Sequence, residues 1–237
     1  MSDVLLEVVV LHAADAQAAQ AGGADRLAVV GADALSPAPN IVSSVVRASS
    51  LPVRPLLRSG DAPSTSGVEL TRLVALAESY LAAGAEGVAC GFLDRDLEVD
   101  AEAMRVVAEA VAPAPLTFTA AVDISLDRAR SWRRIVELPG VDAVLTAGSA
   151  LGVEAGLEQL RAEATDPRMR ALIMAGGGLQ AEHVPWLVHA GVRSFSVGAE
   201  VRPGGSWTKA YTDAAFVRSW RLLVDHALAR IAVEPGA

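Results

Sequence analysis

The chain has 237 residues, of which 52% are hydrophobic and 20% are charged, with a formal net charge of -8 and an isoelectric point near 5.0. Nucleic-acid binding depends mainly on clustered Lys and Arg, and this chain contains a single lysine, Lys209. We therefore expect no nucleic-acid partner. The apolar content is sufficient for one large domain or two modest ones.

The sequence also limits where the protein is expected to act. It has no uninterrupted apolar stretch of about 18 residues or more, and the opening segment MSDVLLEVVV carries acids where a secretory signal carries positive charge. We therefore expect no membrane span and a cytoplasmic location. The lone cysteine, Cys90, cannot form an intramolecular disulfide, which suits a reducing compartment, and it excludes a metal site built from cysteines alone.

Eight short apolar segments, each typical of a buried strand, recur along the chain with helix-like segments between them. In chain order they are LLEVVVL from residue 5, AGGADRLAVVG from 21, LPVRPLLR from 51, AAGAEGVACG from 82, PLTFTAAVD from 115, LPGVDAVLTAG from 138, ALIMAGG from 171 and HAGVRSFSVG from 189. Between them, segments such as VELTRLVALAESYLAAG and AEAMRVVAEAVA have apolar residues at spacings of three and four, which indicates helices.

Apolar strands that alternate with helices indicate a parallel sheet covered on both faces. Eight such units in 237 residues match the usual size of a closed (βα)8 barrel, the TIM barrel. We predict an α/β fold of this kind, as a single domain over residues 1–237. A doubly wound open sheet is the alternative.

Ligands bind at the carboxyl ends of the strands in such a barrel, so the polar residues that end or follow the strands form the candidate site. Arg58 ends an otherwise nearly apolar segment, and a buried charge needs either an acidic partner, for which Asp123 is the candidate, or an anionic ligand. Glu7, inside the first segment, poses the same problem, and we expect it to point into the barrel toward a cation. The residues at this end are His12, Asp33, Ser36, Arg58, Ser59, Asp94, Arg95, Thr119, Asp123, Thr146, Ser149, Glu200 and Arg202.

Three consecutive glycines, Gly176, Gly177 and Gly178, follow the seventh segment where a helix-like segment begins. Backbone N–H groups at a helix N-terminus favour a phosphate or carboxylate. Alternatively, the turn needs positive φ and close helix packing, and the two interpretations are equally open. GGGLQA also fits a dinucleotide fingerprint, with Glu200 as the ribose-binding acid, but a nucleotide half-domain contradicts the eight repeated units.

The residues give little support for a metal centre, and we expect neither a protein-built metal site nor a cofactor. No two of the four histidines lie four residues apart along the chain; they are His12, His183, His189 and His226. Cys90, inside GVACGF, is expected to be a buried and inert thiol. Trp207 lies in the Gly-rich segment RPGGSWTKAYTD and is either a lid over a ligand or a hydrophobic plug.

Several segments, in this order and spacing, resemble the CutC family, the so-called copper homeostasis proteins, over most of the chain. They are LEVVV from residue 6, AGGADRL from 21, LSPAPNIV from 35, PVRPLLR from 52, TFTAAVD from 117, LTAG from 145 and IMAGGGL from 173. The resemblance implies a barrel. It also implies that the ligand-binding residues at the mouth are Glu7, Arg58, Asp123, Thr146, Gly148, Gly176, Gly177 and Gly178.

The chain departs from the family pattern where much of the family's chemistry is carried. Thr119 and Ala120 stand where the family has the His and Arg of Phe-His-Arg-Ala-Phe-Asp. Ala28 and Val30 replace the Glu and Cys of Arg-Ile-Glu-Leu-Cys. Two further replacements are Val9 for a Cys and Ser196 for a His. Together these changes remove most of the groups that could bind copper or move protons.

We therefore predict a divergent CutC-like barrel that binds a small anionic molecule at its mouth. One alternative is an enzyme of the sugar-phosphate isomerase or lyase kind, for which Glu7, Asp123 and His12 are the available acids and bases. Another is a copper carrier that uses the soft ligands Cys90 and Met174. We also expect a homo-oligomer, because helical segments such as VPWLVHAGV and FVRSWRLLV are more apolar than one barrel face requires.

Overall fold

The computed structural model describes residues 4–207 and 210–233, with side chains described up to residue 231. The strands are β1 (Leu5–Val10), β2 (Arg26–Val29), β3 (Val53–Pro55), β4 (Val88–Cys90), β5 (Leu116–Phe118), β6 (Val141–Thr146), β7 (Ile173–Ala175) and β8 (Ser194–Val197). The helices are α1 (Ala13–Gly22), α2 (Pro39–Ala48), α3 (Gly67–Ala82), α4 (Ala101–Val111), α5 (Arg128–Ile135), α6 (Val153–Glu163), α7 (Pro167–Leu172), α8 (His183–His189) and α9 (Ala214–Val233).

The strands form one closed parallel sheet. They pair in the order β3-β2-β1-β8-β7-β6-β5-β4, and the two ends of this order meet. Leu56 bridges Ala89, and the Leu57 N–H donates to the Ala89 carbonyl at 2.7 Å. The predicted (βα)8 barrel is therefore confirmed, and the open doubly wound sheet is excluded because it would leave β3 and β4 apart.

Each of the eight apolar segments contains one strand, in the predicted order. The sixth unit has an additional short helix, α7, between α6 and β7, which the sequence reasoning did not identify. Its start is determined locally, because Pro167 occupies the first turn and Asp166 accepts hydrogen bonds from the N–H groups of Arg168 and Met169.

The hydrophobic core lies mainly between the sheet and the surrounding helices. On β1, Leu6, Val8 and Val10 are fully buried, and they alternate with residues that face the barrel interior. One hydrophobic cluster extends along the described residues from Val4 to Ala227. Within the part of the chain that the structure describes, no helix is both long and apolar enough to cross a bilayer.

Buried polar side chains close the interior of the barrel toward the amino ends of its strands. Glu7 points inward, as predicted, and its carboxylate accepts hydrogen bonds from Arg26 Nε at 2.7 Å and from Ser196 Oγ at 3.0 Å. Arg26 Nη2 also lies 3.1 Å from the Met174 sulfur. The Glu7 and Arg26 side chains are 3% and 6% exposed, so each buried charge is compensated by the other.

Arg54 extends this cluster from β3. Its guanidinium donates to Asp142 Oδ1 and Oδ2 at 2.5 and 2.7 Å, to Glu86 Oε2 at 3.0 Å and to Thr117 Oγ1 at 2.9 Å. Burial lowers the pKa of Arg54, but the bonds and charges of Asp142 and Glu86 outweigh burial and raise it overall. We call Glu7, Arg26, Arg54 and Thr117 the polar floor, because they separate the upper interior of the barrel from its amino end.

Removing one partner of the Glu7–Arg26 ion pair should destabilise the folded protein. Arg26→Met leaves the Glu7 carboxylate buried without its cation, so we expect the free energy of unfolding to fall by about 3–5 kcal/mol. The double variant Glu7→Met/Arg26→Met should lose less than the sum of the two single losses, because no uncompensated charge remains. Urea unfolding followed by circular dichroism measures all three variants.

Arg168→Met is the control, because it removes an ion pair with Glu137 whose side chains are 62% and 68% exposed. It should cost less than about 1 kcal/mol. Losses of equal size for Arg26→Met and Arg168→Met would contradict a structural role for the buried pair.

Candidate functional site

A cavity of about 480 Å³ opens at the carboxyl ends of the strands, above the polar floor. This is where ligands bind in (βα)8 barrels, and the volume is within the range of small-molecule sites. Most of its wall is apolar and includes Val9, Ala28, Leu56, Ala89 and Leu145, with Trp207 contributed by the segment after β8. We call this space the mouth cavity.

The mouth cavity exists because the inward-facing residues above the polar floor do not fill the barrel. Val9, Ala28, Ala89 and Leu145 are all partly exposed, although the residues on either side of them along their strands are buried. In a filled barrel, layers of inward side chains close the interior. Here the alanines in particular are too short to do so.

The wall at the end of β5 is also made of small residues. Thr119 and Ala120 line the mouth cavity, and these are the positions where the family pattern has His and Arg. Directly after the neighbouring strand β4, a Cβ at Gly91 would lie 2.4 Å from Thr119 Oγ1. The close approach of these two chain segments therefore requires glycine at position 91.

Arg58 lines the mouth cavity from the end of the β3 segment. Its Nε and Nη2 donate to the carbonyl oxygens of Gly60 and Asp61, both at 2.9 Å. It takes part in none of the ion pairs found among residues 4–207 and 210–231. Of the two alternatives for Arg58, the pairing with Asp123 is not formed, and among the described residues the positive charge of Arg58 has no carboxylate partner.

Asp123 belongs to a hydrogen-bonded network outside the cavity lining. Its carboxylate accepts from Thr146 Oγ1 at 2.6 Å and from the N–H groups of Ala147 and Gly148 at 2.8 and 3.2 Å. Gly148 has a φ of +79°, and a Cβ there would lie 2.3 Å from the Gly156 carbonyl oxygen. The structure thus brings Asp123, Thr146 and Gly148 together, but it places them around the start of α6 rather than on the cavity wall.

Arg128, at the start of α5, completes this network, and the sequence reasoning missed it. It donates to Asp123 Oδ1 at 2.6 Å and to both carboxylate oxygens of Glu163 at 2.5 and 2.9 Å. Burial lowers the pKa of Arg128, but the bonds to Glu163 and Asp123 outweigh burial and raise it overall. Nothing local predicts the contact with Glu163, because the two residues meet only when α5 and α6 pack together.

The three glycines follow β7 but do not form the N-terminus of a helix. α8 begins at His183, with residues 179–182 in between, so the expectation that the glycines lead directly into a helix is wrong. Gly177 and Gly178 have φ values of +90° and +74°, which supports the interpretation that the turn itself needs glycine. At Gly176 a Cβ would instead lie 2.8 Å from Leu145 Cδ1. Anion binding by this turn stays a prediction.

Among the described residues, Glu154, Glu182 and His183 have ligand atoms that all lie within 4.8 Å of one another. His183 is buried, and both of its ring nitrogens already have partners. Nδ1 accepts from the Gln180 N–H at 3.0 Å, and Nε2 lies 2.8 Å from Glu154 Oε2. With Nδ1 as the acceptor, the ring proton is assigned to Nε2 and is donated to Glu154. The histidine is therefore satisfied as a contact between α6 and α8.

Cys90 and Met174 lie on opposite sides of the sheet. Cys90 is fully buried on the helix side, with its sulfur 3.9 Å from that of Met104 on α4. The Met174 sulfur faces the barrel interior and contacts Arg26. Burial raises the pKa of the Cys90 thiol to about 12. The two residues cannot hold one copper ion together, so a carrier built on this pair is ruled out.

A closed barrel with a cavity at the carboxyl ends of its strands places the chain among the (βα)8-barrel proteins. Within this class the chain belongs to the CutC family, whose family model matches residues 4–200. The chain is 32% identical over 211 residues to the CutC family protein of Klebsiella pneumoniae strain 342. This alignment covers 86% of this chain and 81% of the relative. It is also 32% identical over 201 residues to that of Xanthomonas axonopodis pv. citri, with 82% of each chain covered.

Solved structures share the fold. The CutC protein of Streptococcus agalactiae, which its description assigns provisionally to copper homeostasis, aligns with a TM-score of 0.73 over 82% of this chain and 98% of that chain, at 19% identity. A thiamine phosphate pyrophosphorylase from Pyrococcus furiosus aligns with a TM-score of 0.62 over 96% of this chain and 98% of that chain, at 16% identity. At these identities the likeness concerns the fold alone.

The burial of Cys90 predicts an unreactive thiol. The thiolate is the nucleophile, and a pKa of about 12 leaves very little thiolate at neutral pH. We expect the folded protein to react with a disulfide reagent such as DTNB more than about a hundredfold more slowly than the urea-unfolded protein. Rapid, stoichiometric labelling of the folded protein would contradict this placement of Cys90.

Gly177→Ala tests the turn after β7. The new Cβ would meet only Ala147 Cβ at 3.4 Å, an ordinary contact, so the cost should come from the φ of +90° and should be about 1–2 kcal/mol in the free energy of unfolding. Gly67→Ala is the control, because a Cβ there meets nothing within 4 Å and φ is not positive.

Thermal unfolding with and without inorganic phosphate separates the two interpretations of the turn. If the turn is only structural, any change in Tm that phosphate causes should be the same in the wild type and in Gly177→Ala. Loss of the phosphate-induced rise in the variant would instead support the anion site. An unchanged Tm for the ligand-free variant would contradict the conformational argument.

Proposed function

We propose that this protein binds a small organic anion with an apolar body in the mouth cavity. The observation that carries the proposal is the environment of Arg58 at the edge of a mostly apolar cavity of about 480 Å³. Among the described residues, its guanidinium donates hydrogen bonds to two backbone carbonyls and to no carboxylate. A cation in such a place favours an anionic group within its reach. The apolar walls favour the remainder of the ligand.

The other charges of the cavity lining leave this role to Arg58. Glu7 is compensated by Arg26, and Arg54 is compensated by Asp142 and Glu86. Asp61 also lines the cavity, but its side chain is exposed and its carbonyl, rather than its carboxylate, contacts Arg58. The proposed ligand therefore places its charge near Arg58 and its apolar part toward Ala28 and Leu145.

Binding is better supported than catalysis of the isomerase or lyase kind, which needs a general acid or base at the ligand. Of the three candidates, only Glu7 lines the mouth cavity, and both of its oxygens are already bonded. Asp123 is engaged by Arg128 and Thr146. His12 is 46% exposed and bonds to Asp15.

We further propose that the protein acts in the cytoplasm as a homo-oligomer. A free cysteine suits a reducing compartment. On α8 and α9, Trp186 and Leu222 are 55% and 62% exposed, whereas Leu187 and Val224 beside them are fully buried. Exposed apolar side chains of this kind are typical of surfaces that a second copy covers.

The proposal is tested by thermal shift and calorimetry with benzoate, 1-naphthoate, octanoate and inorganic phosphate as probes. We expect the carboxylates with apolar bodies to raise Tm by mass action. Arg58→Gln should weaken carboxylate binding by about 1.5–3 kcal/mol, or roughly 10- to 150-fold in Kd. It should leave the neutral analogue 1-naphthamide nearly unaffected, because only the charge-assisted contact is lost.

Two further variants locate the binding. Arg95→Gln removes another mouth-side arginine, which is exposed and outside the cavity lining, and it should change nothing. Ala28→Leu places a larger side chain in the cavity and should abolish binding while the protein stays folded. Carboxylate binding that survives Ala28→Leu, or the absence of any carboxylate-induced rise in Tm, would overturn the proposal.

A further inference from the structure

Trp207 is an aromatic residue in the lining of the mouth cavity, in the segment that follows β8. Its side chain is partly exposed, whereas Phe92, another aromatic residue of the lining, is only 5% exposed. The remaining apolar wall near the strands is aliphatic, as Val9, Leu56 and Leu145 illustrate. The indole is therefore the flat aromatic surface that a ligand in the cavity would meet.

The indole ring is held in place from two sides. The Arg202 guanidinium carbon lies 5.3 Å from the ring centroid, a distance at which a cation and an aromatic ring attract each other. At the ring edge, a Cβ on Gly198 would lie 2.9 Å from Trp207 Cζ3. Glycine at position 198 thus permits the approach of the ring, and Arg202 covers one of its faces.

Arg202 is itself fixed by a buried ion pair. Its Nη2 donates to Asp15 Oδ2 at 2.9 Å, and both side chains are 0% exposed. Asp15 also accepts from the Thr212 N–H at 2.8 Å. Asp15 therefore anchors the chain on both sides of Trp207, at Arg202 before it and at Thr212 after it.

The Asp15 carboxylate keeps its negative charge although it is buried. Burial raises the pKa of Asp15, but hydrogen bonds from the Thr212 and Leu11 N–H groups and from Arg202 outweigh burial and lower it overall. The carboxylate is therefore ionised at neutral pH and keeps Arg202 under the ring. A rigid aromatic surface of this kind contributes to binding at a small cost in conformational entropy.

We propose that Trp207 is a specificity-determining residue that selects ligands with a planar, unsaturated ring for the mouth cavity, and this inference rests on the proposed function. A planar ring can stack against the indole or meet it edge to face, and aromatic pairs gain energy beyond their buried area. A saturated ring of similar size buries comparable area but lacks that gain. Arg202 acts as a positioning residue, because it contacts the indole rather than the ligand.

The test compares 1-naphthoate with its saturated analogue decahydro-1-naphthoate by isothermal titration calorimetry. The two acids have the same charge and the same carbon skeleton. We expect the aromatic acid to bind between about twofold and about tenfold more tightly. Trp207→Leu should bring the two Kd values together mainly by weakening the aromatic acid, and Trp207→Phe should retain part of the preference. Circular dichroism confirms that each variant is folded.

Trp186→Leu is the matched control. Trp186 also packs against an arginine, with Arg161 5.4 Å from its ring centroid, but it lies on α8 outside the cavity lining. This variant should keep the preference of the wild type. The tryptophan fluorescence of Trp186→Leu should also change when 1-naphthoate is added. The change should be smaller in Trp207→Leu, which lacks the indole in the mouth cavity.

The possible results separate this inference from the proposal on which it rests. If both acids bind with equal affinity and Ala28→Leu abolishes both, the mouth cavity binds organic anions but Trp207 does not select among them. A preference that survives Trp207→Leu would equally overturn the role of Trp207. If neither acid binds, or if both still bind to Ala28→Leu, the proposed function fails and this inference fails with it.

Discussion

The buried ion pair between Glu7 and Arg26 determines how the interior of this barrel is divided. The two residues are register partners on the adjacent strands β1 and β2, and both side chains point inward. Two charges taken out of water must compensate each other closely, and their bond of 2.7 Å does so. With Arg54 beside them, they close the barrel toward its amino end, and the mouth cavity lies above the polar floor.

The mouth cavity lowers the packing density of the barrel interior, and it leaves room for a ligand. Protein interiors are normally packed as densely as organic crystals, and a cavity of about 480 Å³ gives up the dispersion contacts that larger side chains at Ala28 and Ala89 would make. At its edge the charge of Arg58 is not compensated by a carboxylate of the described residues, because its guanidinium donates to the carbonyls of Gly60 and Asp61. The segment after β8 adds Trp207, held by the buried Asp15–Arg202 pair. Among the described residues, the cavity therefore combines an apolar wall, the cation of Arg58 without a carboxylate partner and the fixed indole of Trp207.

Much of the fold could be predicted because its signals are local. The eight strands lie within the eight apolar segments, since each depends on a few consecutive residues. The inward direction of Glu7 followed from the cost of placing a carboxylate in an apolar strand, and the burial of Cys90 from its position within one. The resemblance of ordered motifs to the CutC family was confirmed over residues 4–200. The short helix α7 was missed, because its signal is little more than Asp166 followed by Pro167.

The sequence by itself determined the repeated units, the family and the presence of a buried carboxylate in β1, because periodicity and the cost of burying charge act within short segments. Only the tertiary structure decided which charges are neutralised. Asp123 pairs with Arg128 rather than Arg58, since β4 lies between β3 and β5 in the closed barrel and Asp123 turns toward β6. The mouth cavity likewise depends on gaps between side chains of distant strands. The distances between these side chains depend on strand order, register and barrel closure, and none of these can be read from a short stretch of sequence.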